Sequence, residues 1–353
     1  MLFRSIPVRA AENRAWLVAC CKIGPLLPGD RLAEFSANMG VPAELLRGAG
    51  ESQIVRPDGT VVARGPRDTE AVVVADADLS LTGLTRPDGT DLVASRRPRI
   101  YAPLFAPTPP TDDHPRADEV RVAAASDVDS AHEALQAGAA LVVLPELLPG
   151  DVAEVQQLLA DSEAVIATSI RHTGESGVSH CGVLVSRQGL VLHQPQLHYV
   201  ARHSWVTRLG SELHTVDLPW GRVALVVGDD VLYPEVPRLA ALAAADLIVV
   251  PWAAGGELWD VELCLPERAA ENRVCLVAAG PRCLVIDLPA DFTLWAPERT
   301  RPFDGTINLP EISDHERLVV GTVHPSRSLN RRISRNTDLV DGRPWQLCES
   351  LVH

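Results

Sequence analysis

The sequence predicts an α/β protein with mixed sheets, and three observations carry that reading. Strand-like and helix-like stretches alternate along the chain, with several hairpins among them. The composition is 46% hydrophobic but only 4% aromatic, which describes an Ala/Val/Leu core of the kind found between helices and sheets. The run Arg222 to Trp252, RVALVVGDDVLYPEVPRLAALAAADLIVVPW, reads as strand, sharp turn, helix and parallel strand. At 353 residues the chain holds one large or two modest domains, each with a full core.

Taken in order, PVRAAENRAWLVACCKIG is a helix end running into a strand. GESQIVRPDGTVVARG is two short strands about a Pro-Asp-Gly-Thr turn, AVVVADADL a further strand, and SRRPRIYAPL the close of the first segment. The Pro- and Asp-rich stretch around residues 102 to 119 lacks periodicity and reads as an extended linker. The expected division is therefore 1–105, a linker at 106–118, and 119–353. In the last segment EVRVAAAS is a strand, followed by a helix capped by Asp127 or Asp129. ALVVLPE is a buried strand ending in Pro145-Glu146. Asp151 caps the helix DVAEVQQLLADS, AVIATSI is a strand, and CGVLVSRQGLVLHQPQLH folds into a hairpin about Gln188-Gly189. Val223 to Val227 form the strand that opens the central unit; Pro234 suits a helix's first turn, where its missing N–H costs nothing. A helix from about Leu258 to Asn272 and the strands VCLVAAG, CLVIDL and RLVVGTVHP complete the chain.

Composition limits the partners. A net charge of −14 repels nucleic-acid backbones and anionic membranes, and no apolar run reaches the length of a signal-peptide core or a membrane helix. Seven cysteines, several inside strand-like runs, read as reduced core residues of a cytoplasmic protein. No CxxC or His/Cys spacing suggests a metal, and no cofactor is indicated. Of 32 basic residues, Lys22 is the sole lysine, which excludes lysine-dependent chemistry elsewhere.

RAAENR occurs twice, at Arg9–Arg14 and Arg268–Arg273, each time before an apolar strand, as expected of an internal repeat. Asp230, Tyr233, Pro234 and Glu235 after a strand, together with Glu146 in LVVLPE, resemble the nitrilase (carbon–nitrogen hydrolase) superfamily, whose nucleophile pattern is close to Cys-Tyr-Asp, three residues, then Pro-Glu. The resemblance implies a four-layer α-β-β-α sandwich. It further implies that residues 1–105 are the carboxyl-terminal half of one copy, from the Arg-Ala-x-Glu-Asn helix to Arg-Arg-Pro-x-x-Tyr, and that 119–353 are a complete second copy.

The superfamily's chemistry uses a cysteine, a glutamate that moves its proton, and a lysine that stabilises the oxyanion. By resemblance Glu146 keeps the glutamate position, Gln196 stands for the lysine in QPQLHY, and Gly228 stands for the cysteine. Asp229 and His198 are possible substitutes. A carboxylate at ordinary pKa is a weak nucleophile for amides, however, and Asp229 and Asp230 also suit a turn and a helix start. Arg202 and Arg208 lie nearby and could supply charge but not exchange a proton. His172, His180, His193 and His203 show no pairing with a serine and an acid. The expectation is a non-catalytic binding, structural or regulatory protein, able to take a small amide-like molecule. It would assemble as a homo-oligomer or with another nitrilase-like half, because half a sandwich leaves sheet edges uncovered. The alternative is a hydrolase of small amides, nitriles or N-carbamoyl compounds, through a rebuilt site or as part of a longer protein whose gene starts further upstream.

Overall fold

The structure, a computed structural model, describes residues 2–109, 113–253, 263–290, 309–334 and 337–347. Contacts group the chain into two units, one running to Leu84 and the other comprising Thr85–Ala290 and Leu309–His353. In the first unit, helix α1 (Leu2–Asn13) leads into β1 (Leu17–Ala19), and α2 (Gly29–Met39) precedes the hairpin of β2 (Gln53–Val55) and β3 (Val61–Arg64). The three strands form one antiparallel sheet in the order β1-β2-β3. The expected Pro-Asp-Gly-Thr turn closes this hairpin: Gly59 takes φ +85° and the Thr60 N–H donates to the Asp58 carboxylate at 2.9 Å.

The strand expected over AVVVADADL does not form. Residues 71–78 belong to no sheet, Leu79 enters a 3-10 turn, and Val72 and Val74 are 91% and 79% exposed. Local β propensity makes a strand only where a neighbour supplies ladder hydrogen bonds; Val73 lies near Gly65 at the end of β3, but no backbone hydrogen bond is made by residues 71–77 among the described residues.

The second unit contains two six-stranded sheets. β4 (Val120–Ala125), β5 (Leu141–Val143), β6 (Val165–Gly174), β7 (Gly177–Ser186) and β8 (Gly189–Pro195) belong to the first, with α3 (Val128–Gln136) and α4 (Val152–Leu158) between strands. The Asp127 and Asp151 side chains cap these helices, accepting from Ser130 N at 2.7 Å and Glu154 N at 2.9 Å. β9 (Thr215–Leu218) and β10 (Gly221–Leu225) begin the second sheet. α5 (Glu235–Leu242), β11 (Leu247–Pro251), α6 (Leu265–Asn272), β12 (Cys275–Ala279), β13 (Cys283–Asp287) and β14 (Glu311–His315) continue it. β15 (Leu318–Val323) returns to the first sheet. The orders are β15-β4-β5-β6-β7-β8 and β14-β13-β12-β11-β10-β9. The helix expected from about Leu258 begins, as described, at Leu265; residues 254–262 lie outside the described residues.

Period-two alternation explains the layers. Val120, Val122, Leu141, Val143, Val223, Leu225, Leu247 and Val249 face one another between the sheets. Ala123, Ala125, Val142 and Leu144 face outward with Ala131, Ala134 and Val155 of α3 and α4. On the second sheet α6 packs on β12, and α5 crosses between the parallel strands β10 and β11 and packs on α6. The result is the four-layer α-β-β-α sandwich that the resemblance implied.

The two RAAENR hexapeptides adopt one geometry. Each ends a helix in a left-handed arginine, Arg14 at φ +48° and Arg273 at φ +50°, with a backbone bond five residues back, Ala15 N to Ala10 O and Val274 N to Ala269 O. Asn13 and Asn272 donate to the carbonyls of Arg9 and Arg268, and Arg9–Glu12 and Arg268–Glu271 are ion pairs, both at 2.6 Å. Their settings differ: Arg268 is wholly buried and donates to the Val231 and Leu232 carbonyls, whereas the Arg9 side chain is 39% exposed.

Residues 85–105, which the sequence groups with the first segment, make their contacts in the second unit. The 3-10 stretch Pro98–Phe105 packs on α5 and buries Ile100 and Tyr101, the Ser95 hydroxyl meets Tyr233 Oη at 2.7 Å, and Arg97 donates to the Gly210 carbonyl at 2.6 Å.

Candidate functional site

The strand ends of the second unit gather the expected residues at one point. Glu146 follows β5 on a loop in which Leu147 takes φ +61° and donates its N–H to Ser169 Oγ at 3.0 Å; Thr168 Oγ1 donates to the Pro145 and Leu148 carbonyls. Gln196 follows β8, where its N–H bonds the His180 carbonyl at 2.8 Å. Gly228 begins the tight turn after β10 with φ +53°, a conformation glycine adopts freely. A Cβ built there would stand 2.7 Å from Glu146 Oε2, 3.4 Å from Arg202 Nη2 and 3.8 Å from His180 Cε1. A side chain at residue 228 would therefore point straight at the glutamate.

That place is filled. Arg202, on the 3-10 turn Ala201–His203, donates to Glu146 Oε1 through Nη1, to Glu146 Oε2 at 3.3 Å through Nη2, and to Asp229 Oδ1 at 2.6 Å through the same nitrogen. One guanidinium thus lies between two buried carboxylates. Sequence reasoning noted Arg202 only as a neighbour of Gln196; no local signal marks it as the partner of a glutamate 56 residues away. Arg208 turns elsewhere and donates to Ser176.

Asp229 and Asp230 lie in the first turn of the 3-10 stretch Gly228–Leu232, where turn and helix-start residues are expected, and neither side chain caps α5. Asp229 holds Arg202, and Asp230 accepts from Leu197 N at 2.7 Å and His198 N at 2.9 Å, tying the end of β8 to the Gly228 turn. His198 is fully buried with both ring nitrogens engaged, Nδ1 by Asp230 at 2.8 Å and Nε2 by Tyr101 Oη at 2.6 Å, and its ring stacks on Tyr233 at 3.7 Å.

Two of the scattered histidines, His180 and His203, acquire partners at this point, whereas His193 Nε2 is buried without a hydrogen bond. The Ser169 hydroxyl meets His180 Nε2 at 2.6 Å, and His180 Nδ1 meets Gln196 Oε1 at 2.7 Å. Because the Gln196 amide nitrogen donates to the His198 carbonyl, Gln196 Oε1 accepts from His180 Nδ1, and the neutral imidazole then accepts at Nε2 from the Ser169 hydroxyl, which itself accepts from Leu147 N. Both polar atoms of Gln196 are therefore spent inside the protein. His203 Nε2 lies 3.3 Å from Glu146 Oε1. Ligand atoms of Glu146, His180 and His203 fall within 4.8 Å of one another, so this trio has the donor types for a transition-metal ion. An ion there would have to compete with the Arg202 guanidinium for Glu146.

Burial alone would raise the Glu146 pKa, but the hydrogen bonds from His203 and Arg202 and the arginine's charge outweigh it and hold the carboxyl at about 2. Burial lowers His180 to about 4 despite the attraction of Glu146. Both groups titrate lower in the folded chain than in the unfolded one, so the unfolded chain takes up more protons as pH falls. Stability is accordingly lost from about pH 6.5 to about 4 through His180 and from about 4.5 to about 2 through Glu146, each worth on the order of 3 kcal/mol at neutral pH. Thermal midpoints are expected to fall between pH 7 and pH 4, and His180→Gln to flatten that fall. An unchanged slope in the variant would remove His180 as its source.

Residues 2–87 match the family model for carbon–nitrogen hydrolases. The chain is 27% identical over 110 residues to Probable hydrolase YhcX of Bacillus subtilis, a match covering 30% of this chain and 21% of that protein. The chain thus spans about a fifth of that relative's length. Among solved structures, an amidase from Nesterenkonia sp. is similar at 19% identity, covering 62% of this chain and 95% of its own, with a TM-score of 0.45. A serine variant of the Nesterenkonia AN1 amidase from the nitrilase superfamily matches at 18% identity over 57% of this chain and 92% of its own, with a TM-score of 0.44. The family match makes residues 2–87 similar to the carbon–nitrogen hydrolases, and the curated relative is similar over a short stretch of its own length.

Proposed function

We propose that the second unit is a catalytically silent nitrilase-like domain and that the chain acts as a binding, structural or regulatory module rather than as an amide hydrolase. The observation that carries this reading is the Glu146–Arg202 ion pair beside a side-chain-free Gly228. A carboxyl held at about 2 and bonded to an arginine is a poor proton acceptor, the thiol that it would serve is missing, and the Gln196 amide brings no charge to an oxyanion. The shared geometry of the two RAAENR helix ends supports reading the first unit as a half-copy of the same fold. Its exposed Val72 and Val74 support assembly with a second copy or another nitrilase-like half. Six free cysteines among the described residues fit the cytoplasm, and no helix among them is long and apolar enough to cross a membrane.

Because residues 2–87 carry the family match, the second reading is a hydrolase of small amides, nitriles or N-carbamoyl compounds formed with further protein. A panel of those compounds incubated with the purified chain separates the two. No turnover is expected, nor from Gly228→Cys, where the added side chain meets Glu146 and Arg202 instead of a substrate. Turnover by the natural chain that disappears in Glu146→Gln would establish a working site at Glu146.

A further inference from the structure

We infer that the cleft between Glu146, Asp229 and Gly228 is a guanidinium-binding site whose resident ligand is the chain's own Arg202. This deepens the non-catalytic reading and rests on it: the group occupying the reaction volume is an internal cation, not a substrate. Three features define the class of ligand. The two terminal nitrogens of Arg202 address both oxygens of Glu146 and one of Asp229, the fork that a planar diamino cation makes and an ammonium cannot. The inner nitrogen Nε is buried without a hydrogen-bond partner, so recognition is concentrated on the two outer ones. Opposite the guanidinium stands Gly228, whose missing side chain leaves the space that a Cβ would take 3.4 Å from Arg202 Nη2.

Two carboxylates against one guanidinium leave the cleft short of positive charge when Arg202 is removed. A tethered side chain outcompetes millimolar free ligand through its high local concentration. The natural chain should therefore ignore small guanidines, and a chain lacking the Arg202 side chain should take them up.

The test is thermal unfolding of the full chain and of Arg202→Ala with methylguanidinium or propylguanidinium at low millimolar concentration, with tetramethylammonium at equal ionic strength as a cation that cannot donate. Arg202→Ala is expected to gain about 3–6 °C, saturably, at ten times the ligand's Kd. The natural chain and the triple variant Arg202→Ala, Glu146→Gln, Asp229→Asn are expected to gain nothing. No saturable gain in folded Arg202→Ala, or an equal gain in the natural chain, would overturn the inference. Should Arg202→Ala not fold, the natural chain still reports on the site. Arg202, with a side chain 20% exposed, should resist phenylglyoxal while Arg187 and Arg282, at 47% and 44%, are modified, and it should become reactive in Glu146→Gln. Labelling of Arg202 in the natural chain at the rate of Arg187 would equally overturn it. Hydrolysis of an amide by the natural chain would tell against the silent-domain reading alone, since these experiments measure binding and protection.

Discussion

Asp246→Ala is expected to destabilise the second unit by about 3–5 kcal/mol, the cost of leaving a buried cation without its counter-charge. Asp246 is completely buried at the entry to β11, and its two oxygens serve four donors from separate parts of the chain. His114 Nε2 lies 2.7 Å from one oxygen, which also accepts the Arg222 N–H at 2.8 Å; Arg116 Nε and Ser328 Oγ reach the other at 2.8 and 2.5 Å. The carboxylate thus joins the segment after residue 113 and the turn Pro325–Leu329 to the start of β10. Urea unfolding measures the loss directly, and a midpoint lower by roughly 10 °C is the thermal counterpart. Asp246→Asn keeps one acceptor and should lose less. A loss below about 1 kcal/mol for the alanine variant would show that the donors find other acceptors.

Gly182→Val should cost about 3 kcal/mol, the upper end of the range for overpacked cores. Gly182 lies in β7 where the two sheets approach, and a Cβ there would sit 1.9 Å from Leu225 Cδ2 and 2.8 Å from Val227 Cγ2. Neither neighbour can retreat, because both are fully buried between the sheets. Leu225→Ala in the same chain opens space and is expected to recover part of the loss, so the two changes together should cost less than their sum. Strict additivity by denaturant titration would mean that the sheets separate locally without a clash.

Much of this protein is legible in one dimension because the determinants are local. Period-two alternation, the caps at Asp127 and Asp151, the turn about Gly59 and the RAAENR helix ends each depend on residues within a few positions, and each forms where the sequence places it. The resemblance to the superfamily likewise brought Glu146, Gln196 and Gly228 into consideration as one site, and each sits at or just beyond a strand end where a sheet delivers side chains to a common edge. What the sequence could not decide is which groups meet there. Arg202 reaches Glu146 across 56 residues and Asp229 across 27, Ser169 finds His180, and Asp246 collects donors from residues 114 to 328. The same holds where local propensity misleads: Ala71–Leu79 has the residues of a strand but pairs with no strand, and residues 85–105 pack according to which apolar face they cover, not according to the segment they follow. Strand and helix identity follow from short-range sterics and hydrogen bonds, whereas an ion pair or a shared carboxylate exists only once folding has brought distant charges out of water together.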